Sequence, residues 1–186
     1  MNKNLKRVVF CLIAAAAMLF VACTKDENNS NSGNGNGTFT MAKADVTYEL
    51  TLQASSAEAL RKGYDVFIDY YDANGQIQTS TEVNADNLTW RKNVTLTTFP
   101  AWFGAQFRLV PKNDLSAATG DSYSCTGTFK VKGTGTSTTG KTRSIGDDVQ
   151  QVVYSGVDPH NGISYKKACR YHVQTDGTSE STMSWE

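Results

Sequence analysis

One stretch decides the fold class of this 186-residue chain: Tyr64-Asp65-Val66-Phe67-Ile68-Asp69-Tyr70-Tyr71-Asp72-Ala73-Asn74-Gly75. Its first eight residues alternate between two faces with a period of two, which is typical of a β-strand. The Asn-Gly pair that follows tolerates positive φ at both positions and is a strong signal for a tight hairpin. We therefore predict a strand over Tyr64 to Tyr71. Its return strand, Gln76 to Val83, is polar enough to lie at a sheet edge.

Similar alternation recurs before and after this stretch. It predicts further strands near 46–53, 88–97, 103–109, 122–132, 148–155 and 163–173. Ser55 and Glu58 have the spacing of a capping box, and Gly63 suits the C′ position of a short helix. Short alternating strands separated by turn signals predict an all-β, antiparallel β-sandwich of seven or eight strands with one short helix.

Three segments depart from the strand pattern. Lys92 interrupts the apolar phase of its strand, which predicts a bulge or an edge position. The Gly/Thr/Ser-rich segment Gly133 to Arg143 is expected to be a long, mobile loop. The tail 177–186 is polar apart from Met183 and Trp185, and we expect it to fray or to pack loosely.

The first 22 residues have the pattern of an export signal. Lys3, Lys6 and Arg7 precede an apolar run, Val8 to Val21, that contains no charge. This run is shorter than the roughly 20 residues needed to cross a bilayer, and it suits the h-region of a signal peptide. Residues 1–22 are therefore predicted to be removed.

Ala22-Cys23 at the end of this run resembles the bacterial lipobox. The resemblance implies that Cys23 is linked to diacylglycerol and that its new amine is acylated. Lys25, Asp26 and Glu27 resemble the export signal of surface lipoproteins in Bacteroidota, which implies an outer-membrane lipoprotein facing outward. The alternatives are a periplasmic-facing lipoprotein, an ordinary signal peptide with an incidental Cys, and an N-terminal membrane anchor.

The composition of the mature chain favours one extracellular domain on a tether. Residues 23–43 are rich in Asn, Ser and Gly and cannot bury enough apolar surface to fold. The sandwich domain is expected over 44–176. The whole chain has 18 basic and 18 acidic residues, so cleavage leaves 15 and 18, and this balance does not favour a nucleic-acid partner.

Three stretches carry a second resemblance: 65–76, 90–96 and 103–111. They resemble the immunoglobulin-like or transthyretin-like modules of small Bacteroidota lipoproteins. The resemblance implies a non-catalytic binding or accessory module attached to the membrane through its lipid. No cofactor is expected.

The remaining chemistry is sparse. Cys125 and Cys169 lie on inward phases, and outside the cytoplasm they are predicted to form a disulfide. The alternative is two buried thiols that never meet. His160 and His172 have no metal-ligand spacing, and no G-x-S-x-G is present, so we expect no catalytic residues and no enzyme activity.

Two outward-phase aromatic residues, Trp102 and Tyr71, are the candidate ligand platform. Exposed, coplanar rings there would favour a carbohydrate-binding component of a glycan-uptake system. The alternative is that both faces of these strands are covered. A fimbrillin-like structural subunit is a further alternative, although the polar tether is a poor donor strand. The partner is therefore expected to be a glycan or a protein.

Overall fold

The computed structural model describes nine strands and one short helix. The described residues are 38–54, 57–81, 89–118, 125–154, 159–161 and 164–185. Side chains are described at all of these positions except 54, 57–59, 125 and 154. All of them belong to the unit Gly37–Glu186. The elements are β1 (Met41–Ala54), α1 (Ala57–Gly63), β2 (Tyr64–Tyr71), β3 (Ile77–Ser80), β4 (Thr89–Leu96), β5 (Ala101–Pro111), β6 (Cys125–Ser137), β7 (Thr142–Tyr154), β8 (Tyr165–Val173) and β9 (Ser179–Thr182), with a 3-10 turn at Pro159–Asn161.

The strands form two antiparallel sheets, so the predicted all-β sandwich is confirmed. The four-stranded sheet has the order β4-β1-β6-β7, and the five-stranded sheet has the order β3-β2-β5-β8-β9. Only the pairs β2-β3, β6-β7 and β8-β9 join strands that are consecutive in the chain. Every other connection crosses from one sheet to the other, which places the inner faces of the two sheets around a shared core.

The predicted hairpin after Tyr71 is confirmed in detail. Gly75 has a φ of 72°, and its amide donates to the carbonyl oxygen of Asp72 at 3.1 Å. The Asp72 carboxylate accepts from the amides of Asn74 and Gln76 at 2.8 and 2.9 Å. The carboxylate thus stabilises the turn that sets the register between β2 and β3.

Tyr48 ties the two sheets together across the core. It is fully buried in β1. Its hydroxyl donates to the carbonyl oxygen of Tyr71 in β2 at 3.1 Å and accepts from the amide of Gly104 in β5 at 3.2 Å. Burial raises the pKa of Tyr48 well above its ordinary value, so the hydroxyl stays protonated and can donate. The buried hydroxyl therefore both donates and accepts a hydrogen bond within the core.

The segment 133–143 is not the loop that its composition predicted. β6 continues to Ser137, and β7 begins at Thr142. Gly133 and Gly135 face the core, where an added Cβ would lie 2.9 Å from the Phe103 ring and 2.8 Å from the Met41 sulfur, respectively. These glycines make room for Met41 on the neighbouring strand β1 and for Phe103 on the facing sheet, so they mark close packing and not a turn.

The two ends of the domain also differ from the prediction. β1 begins at Met41, which is buried, and not at 44. The tail does not fray, because β9 pairs with β8 over Ser179–Thr182. This raises the strand number to nine. Gly63 is the last residue of α1 and lies within the helix, not at C′.

Lys92 interrupts the apolar phase because β4 is an edge strand. β4 pairs only with β1 among the described strands, and the register runs without a shift from Thr89 to Leu96. The predicted edge position is therefore confirmed, and the alternative of a bulge is wrong. A charge on the inward phase of an edge strand blocks pairing with another chain.

Candidate functional site

The predicted platform residues lie close together on the outer face of the five-stranded sheet. The Trp102 ring is half-buried and stacks on His172, with a centroid distance of 4.5 Å and an angle of 18°. The Arg170 guanidinium lies 4.7 Å from the Trp102 centroid. Arg170 Nη1 also donates to the Tyr71 hydroxyl at 3.4 Å, so one arginine links both residues.

Trp102 and Tyr71 do not form a pair of exposed rings. Tyr71 is only 7% exposed, and the Trp185 ring lies 5.3 Å from it at an angle of 50°. The Nε of Arg170 is buried and has no hydrogen-bond partner among the described residues. The Trp185 ring of the C-terminal tail therefore covers Tyr71, whereas Trp102 is half-buried.

A buried carboxylate lies beside this cluster on the same outer face. Asp69 is 5% exposed and accepts from Thr79 Oγ1 at 2.7 Å and Gln106 Nε2 at 3.1 Å. Arg108 donates to it twice, from Nε at 2.6 Å and from Nη2 at 3.0 Å. Arg108 also lies 5.0 Å from the centroid of the Phe67 ring.

The Asp69 carboxylate is held ionised by its partners. Burial by itself would raise the pKa of Asp69, but the hydrogen bonds from Arg108, Thr79 and Gln106 outweigh burial and keep the pKa below its ordinary value. Its two oxygens are occupied by four donors. A carboxylate in this state is a structural anchor between β2, β3 and β5, since it has no lone pair left for proton transfer.

A groove with a volume of about 530 Å³ lies at one open edge of the sandwich. It runs between the edge strand β4 and the strands β2 and β3. Its lining combines aromatic, hydroxyl and charged side chains: Glu49, Leu50, Thr51, Tyr70, Ser80, Thr89, Trp90, Arg91 and Lys92. The groove therefore offers hydrogen-bonding and charged groups beside two aromatic rings.

Two aromatic residues shape the wall of this groove. The rings of Tyr70 and Trp90 lie 5.5 Å apart at an angle of 52°. Trp90 Nε1 donates to the Ser80 hydroxyl at 3.1 Å, which joins β4 to β3 across the groove. Trp90 is 9% exposed and Tyr70 is half-buried. The hydrogen bond and the ring contact hold both aromatic side chains in place before any ligand arrives.

The two cations beside the groove, Arg91 and Lys92, differ in their partners. Arg91 Nη1 lies 3.0 Å from Glu49 Oε1, which makes a pair. Lys92 Nζ lies 5.7 Å from the Tyr70 ring centroid. Among the described residues, no carboxylate forms a salt bridge with Lys92. Lys92 is thus a cation of the groove with no carboxylate partner in the part of the chain that the structure describes.

A second depression, of about 340 Å³, lies on the outer face of the four-stranded sheet. Its charged side chains are already paired: Glu49 with Lys130 at 3.7 Å, and Lys132 with Asp147 at 3.4 Å. The Lys132–Asp147 pair is exposed, and the described residues that line the depression include no aromatic one. It offers less to a ligand than the groove does.

The two cysteines of the predicted disulfide lie on different sheets. Cys169 is a buried thiol in β8, and Cys125 begins β6. The side chain of Cys125 lies outside the described residues, so the disulfide stays a prediction.

The residues of the predicted membrane anchor lie outside the described part of the chain. These are Cys23 and the export-signal residues Lys25, Asp26 and Glu27. Within the described ranges, no helix has the length and apolar character to span a bilayer. In the same ranges, no group of three or more His, Cys, Asp or Glu residues has the spacing of a metal site.

Comparison with known proteins adds no relative. No family model matches the chain. No curated protein matches its sequence significantly. The groove and the fold must therefore be interpreted from their own geometry.

Sequence reasoning missed the groove because its parts come from separate strands in different sheets. Tyr70 and Trp90 both lie on the apolar phases of their strands, which face the core. The one available signal was Lys92, which interrupts an inward phase beside Trp90. A charge in that position indicates that the inner face reaches solvent there.

Proposed function

We propose that the chain is an exported lipoprotein whose β-sandwich is a non-catalytic binding module with carbohydrate as its ligand. Cys23 is the lipid attachment site, and residues 24–37 are the tether that carries the domain away from the outer membrane. Lys25, Asp26 and Glu27 direct it to the outward face. Support for the anchor comes from the charged start, the uncharged apolar run and the Ala22-Cys23 junction.

One observation carries the binding proposal, namely the groove beside Tyr70 and Trp90. Its volume of about 530 Å³ falls within the roughly 300–1,000 Å³ of small-molecule sites. A pyranose ring has an apolar C–H face and a rim of hydroxyl groups. The aromatic rings suit the apolar face, and the side chains of Ser80 and Thr89 suit the hydroxyl groups.

The groove is also suited to binding because it is held open by its own contacts. The Trp90–Ser80 hydrogen bond and the Tyr70–Trp90 ring contact fix the wall. Binding then costs little side-chain ordering, which is the advantage of a pre-organised site. The covered cluster around Arg170 lacks this property, because Trp185 would have to leave before a ligand could reach Tyr71.

Carbohydrate binding is tested with the mature chain carrying Cys23→Ala, which keeps it soluble. We expect signals on a glycan array, and Tyr70→Ala should weaken binding to the best glycan about tenfold, because an aromatic contact contributes about 0.5–1.5 kcal/mol beyond burial. Trp102→Ala is the matched control, since it removes an aromatic residue from the other side of the five-stranded sheet. Thermal unfolding of both variants checks that the fold is retained.

Two results would contradict the binding proposal. One is a parent protein that binds no glycan on the array. The other is a Tyr70→Ala variant that keeps full affinity while Trp102→Ala loses it. The second result would move the site to the outer face of the five-stranded sheet.

The anchor is tested separately by cell fractionation. The unmodified protein should stay in the membrane fraction, because two or three acyl chains bind far more firmly than one. Cys23→Ala should move to the soluble fraction. Protease added to intact cells should degrade the domain if it faces outward. Retention of Cys23→Ala in the membrane would refute the lipid anchor, and protection until lysis would refute outward exposure.

A further inference from the structure

Lys92 is a charged residue on a strand phase whose neighbouring residues are buried. Its neighbours on the same phase are Trp90 and Val94, both buried. Its strand partner across the pair is Tyr48, which is fully buried. Lys92 itself is exposed and carries its ammonium to within 5.7 Å of the Tyr70 ring centroid. The charge therefore stands at the mouth of the groove, next to its aromatic wall.

Among the described residues of the groove, no carboxylate pairs with Lys92. The described lining residues include two cations, Arg91 and Lys92, and one carboxylate, Glu49. Glu49 is shared between Arg91 at 3.0 Å and Lys130 at 3.7 Å. The carboxylate is thus engaged on the outer face of the four-stranded sheet, and the described residues at the mouth of the groove carry a net positive charge.

We infer that the ligand of the groove is an acidic carbohydrate, a sugar ring bearing a carboxylate or a sulfate, whose anionic group is bound by Lys92. This inference rests on the proposed function and specifies its ligand class. The sugar face lies against Tyr70 and Trp90. Its anionic substituent meets the ammonium of Lys92. A hydrogen bond to a charged group is stronger than one between neutral groups, so the anion adds affinity as well as orientation.

The Tyr70 ring beside Lys92 also supports the binding of an anionic group at this position. Tyr70 lies within the distance at which a ring attracts a cation, so the ammonium is held near the wall and not dispersed in solvent. The Asp69 site shows the contrast within the same molecule, since its cation, Arg108, has a buried carboxylate as a permanent partner. Within the described ranges, Lys92 has the aromatic contact and no carboxylate partner. The anionic group of an acidic sugar would pair with its ammonium.

The test is isothermal titration calorimetry of the mature chain carrying Cys23→Ala. The probes are oligogalacturonate for the carboxylate, dextran sulfate oligosaccharides for the sulfate, and cello-oligosaccharides as the neutral ligand. Lys92→Gln removes the charge, and Lys92→Arg keeps it. Lys166→Gln is the matched control, because Lys166 is an exposed lysine on β8, far along the chain from the groove.

We expect at least one acidic probe to bind about tenfold or more tightly than the neutral one. Lys92→Gln should remove that advantage, while Lys92→Arg and Lys166→Gln should keep most of it. The advantage should also shrink between about 0.02 and 0.15 M salt, because screening weakens exposed charge pairs. Whichever acidic probe binds more tightly identifies the anionic group.

Two outcomes would overturn the inference, and they are distinguishable. Neutral and acidic probes that bind equally, with no effect of Lys92→Gln, would refute the acidic ligand and leave the groove as a sugar site. No binding of any probe, together with an empty glycan array, would refute the proposed function and this inference with it. Equal losses in Lys92→Gln and Lys166→Gln would reduce the effect to non-specific attraction, which also refutes it.

Discussion

The outer faces of the two sheets each carry an ion pair that contains an aspartate, and the two aspartates differ in their exposure to solvent. On the five-stranded sheet, Asp69 is buried and bound by Arg108 and two further donors. On the four-stranded sheet, Lys132 and Asp147 form a pair at 3.4 Å with side chains that are 62% and 52% exposed. All of these residues lie on outward phases of their strands. An outward phase therefore does not by itself mean contact with water.

The difference arises from what lies over each sheet. On the five-stranded sheet, the Trp102, Arg170 and His172 side chains pack on one another, and the tail brings Trp185 onto Tyr71. Arg108 lies over Phe67. Large side chains thus form an additional layer that removes Asp69 from solvent. In a less polar environment, an ion pair is stronger and its loss is more costly.

The largest expected effect is at Gly104, at the centre of the covered face. Its φ is 154°, and an added Cβ would lie 2.4 Å from the carbonyl oxygen of Cys169. Gly104→Ala should lower the free energy of unfolding by about 2–5 kcal/mol, since backbone strain and overpacking add together. Gly140→Ala is the control, because its φ is 80° but nothing lies within 4 Å of the added atom. It should cost only about 1–2 kcal/mol.

Urea unfolding measures both glycine variants. Equal destabilisation would mean that the covered face can yield as freely as an exposed turn. The contrast between the two faces would then be wrong.

The second largest loss of stability is expected at Asp69. Asp69→Asn should lower the free energy of unfolding by about 1–3 kcal/mol at pH 7, because Arg108 loses its charged partner. Asp65→Asn is the matched control on the same strand and face. Its 3.9 Å approach to Lys112 is exposed, so it should change stability by less than about 0.5 kcal/mol.

The Asp69 contribution should also depend on pH with a definite sign. Its folded pKa lies below the ordinary value, so the unfolded chain binds the proton more readily. The stabilisation is therefore fully present above about pH 4, near the unfolded pKa, and is lost as the pH falls through the folded pKa. The stability difference between wild type and Asp69→Asn should shrink from pH 7 to pH 3. A difference independent of pH would show that the carboxylate acts by shape and not by charge.

The smallest effect is expected on the exposed face. Lys132→Ala and Asp147→Ala should each change the free energy of unfolding by no more than about 0.5 kcal/mol, because exposed ion pairs contribute little. The double variant should show a coupling energy near zero in urea unfolding at about 0.15 M salt. A coupling above about 1 kcal/mol would place this pair in the same class as Asp69 and remove the distinction between the faces.

The sequence predicted the strands best where the pattern was local. The strand at Tyr64–Tyr71, its hairpin and the edge position of Lys92 all follow from residues a few positions apart. The prediction failed for 133–143 and for the tail. Gly133 is required by the bulk of Phe103, and Trp185 is held by Tyr71. Each of these pairs is separated by tens of residues in the chain.

The candidate site divides in the same way. Trp102 and Tyr71 could be predicted to share a face, because phase alone places them there. Their burial could not be predicted, since it depends on where the tail packs. The groove could not be predicted either, because Tyr70 and Trp90 meet only when β2 and β4 are placed in facing sheets.

The sequence by itself determined the class of fold, the positions of most strands and the hairpin after Tyr71. These depend on alternation and turn chemistry, which act between neighbours in the chain. Only the tertiary structure decided which charges are buried, which glycines make room for side chains and where the groove opens. Those features depend on the packing of one sheet against the other and of the tail against its outer face. The same outward aspartate pattern thus gives a buried anchor at Asp69 and an exposed pair at Asp147.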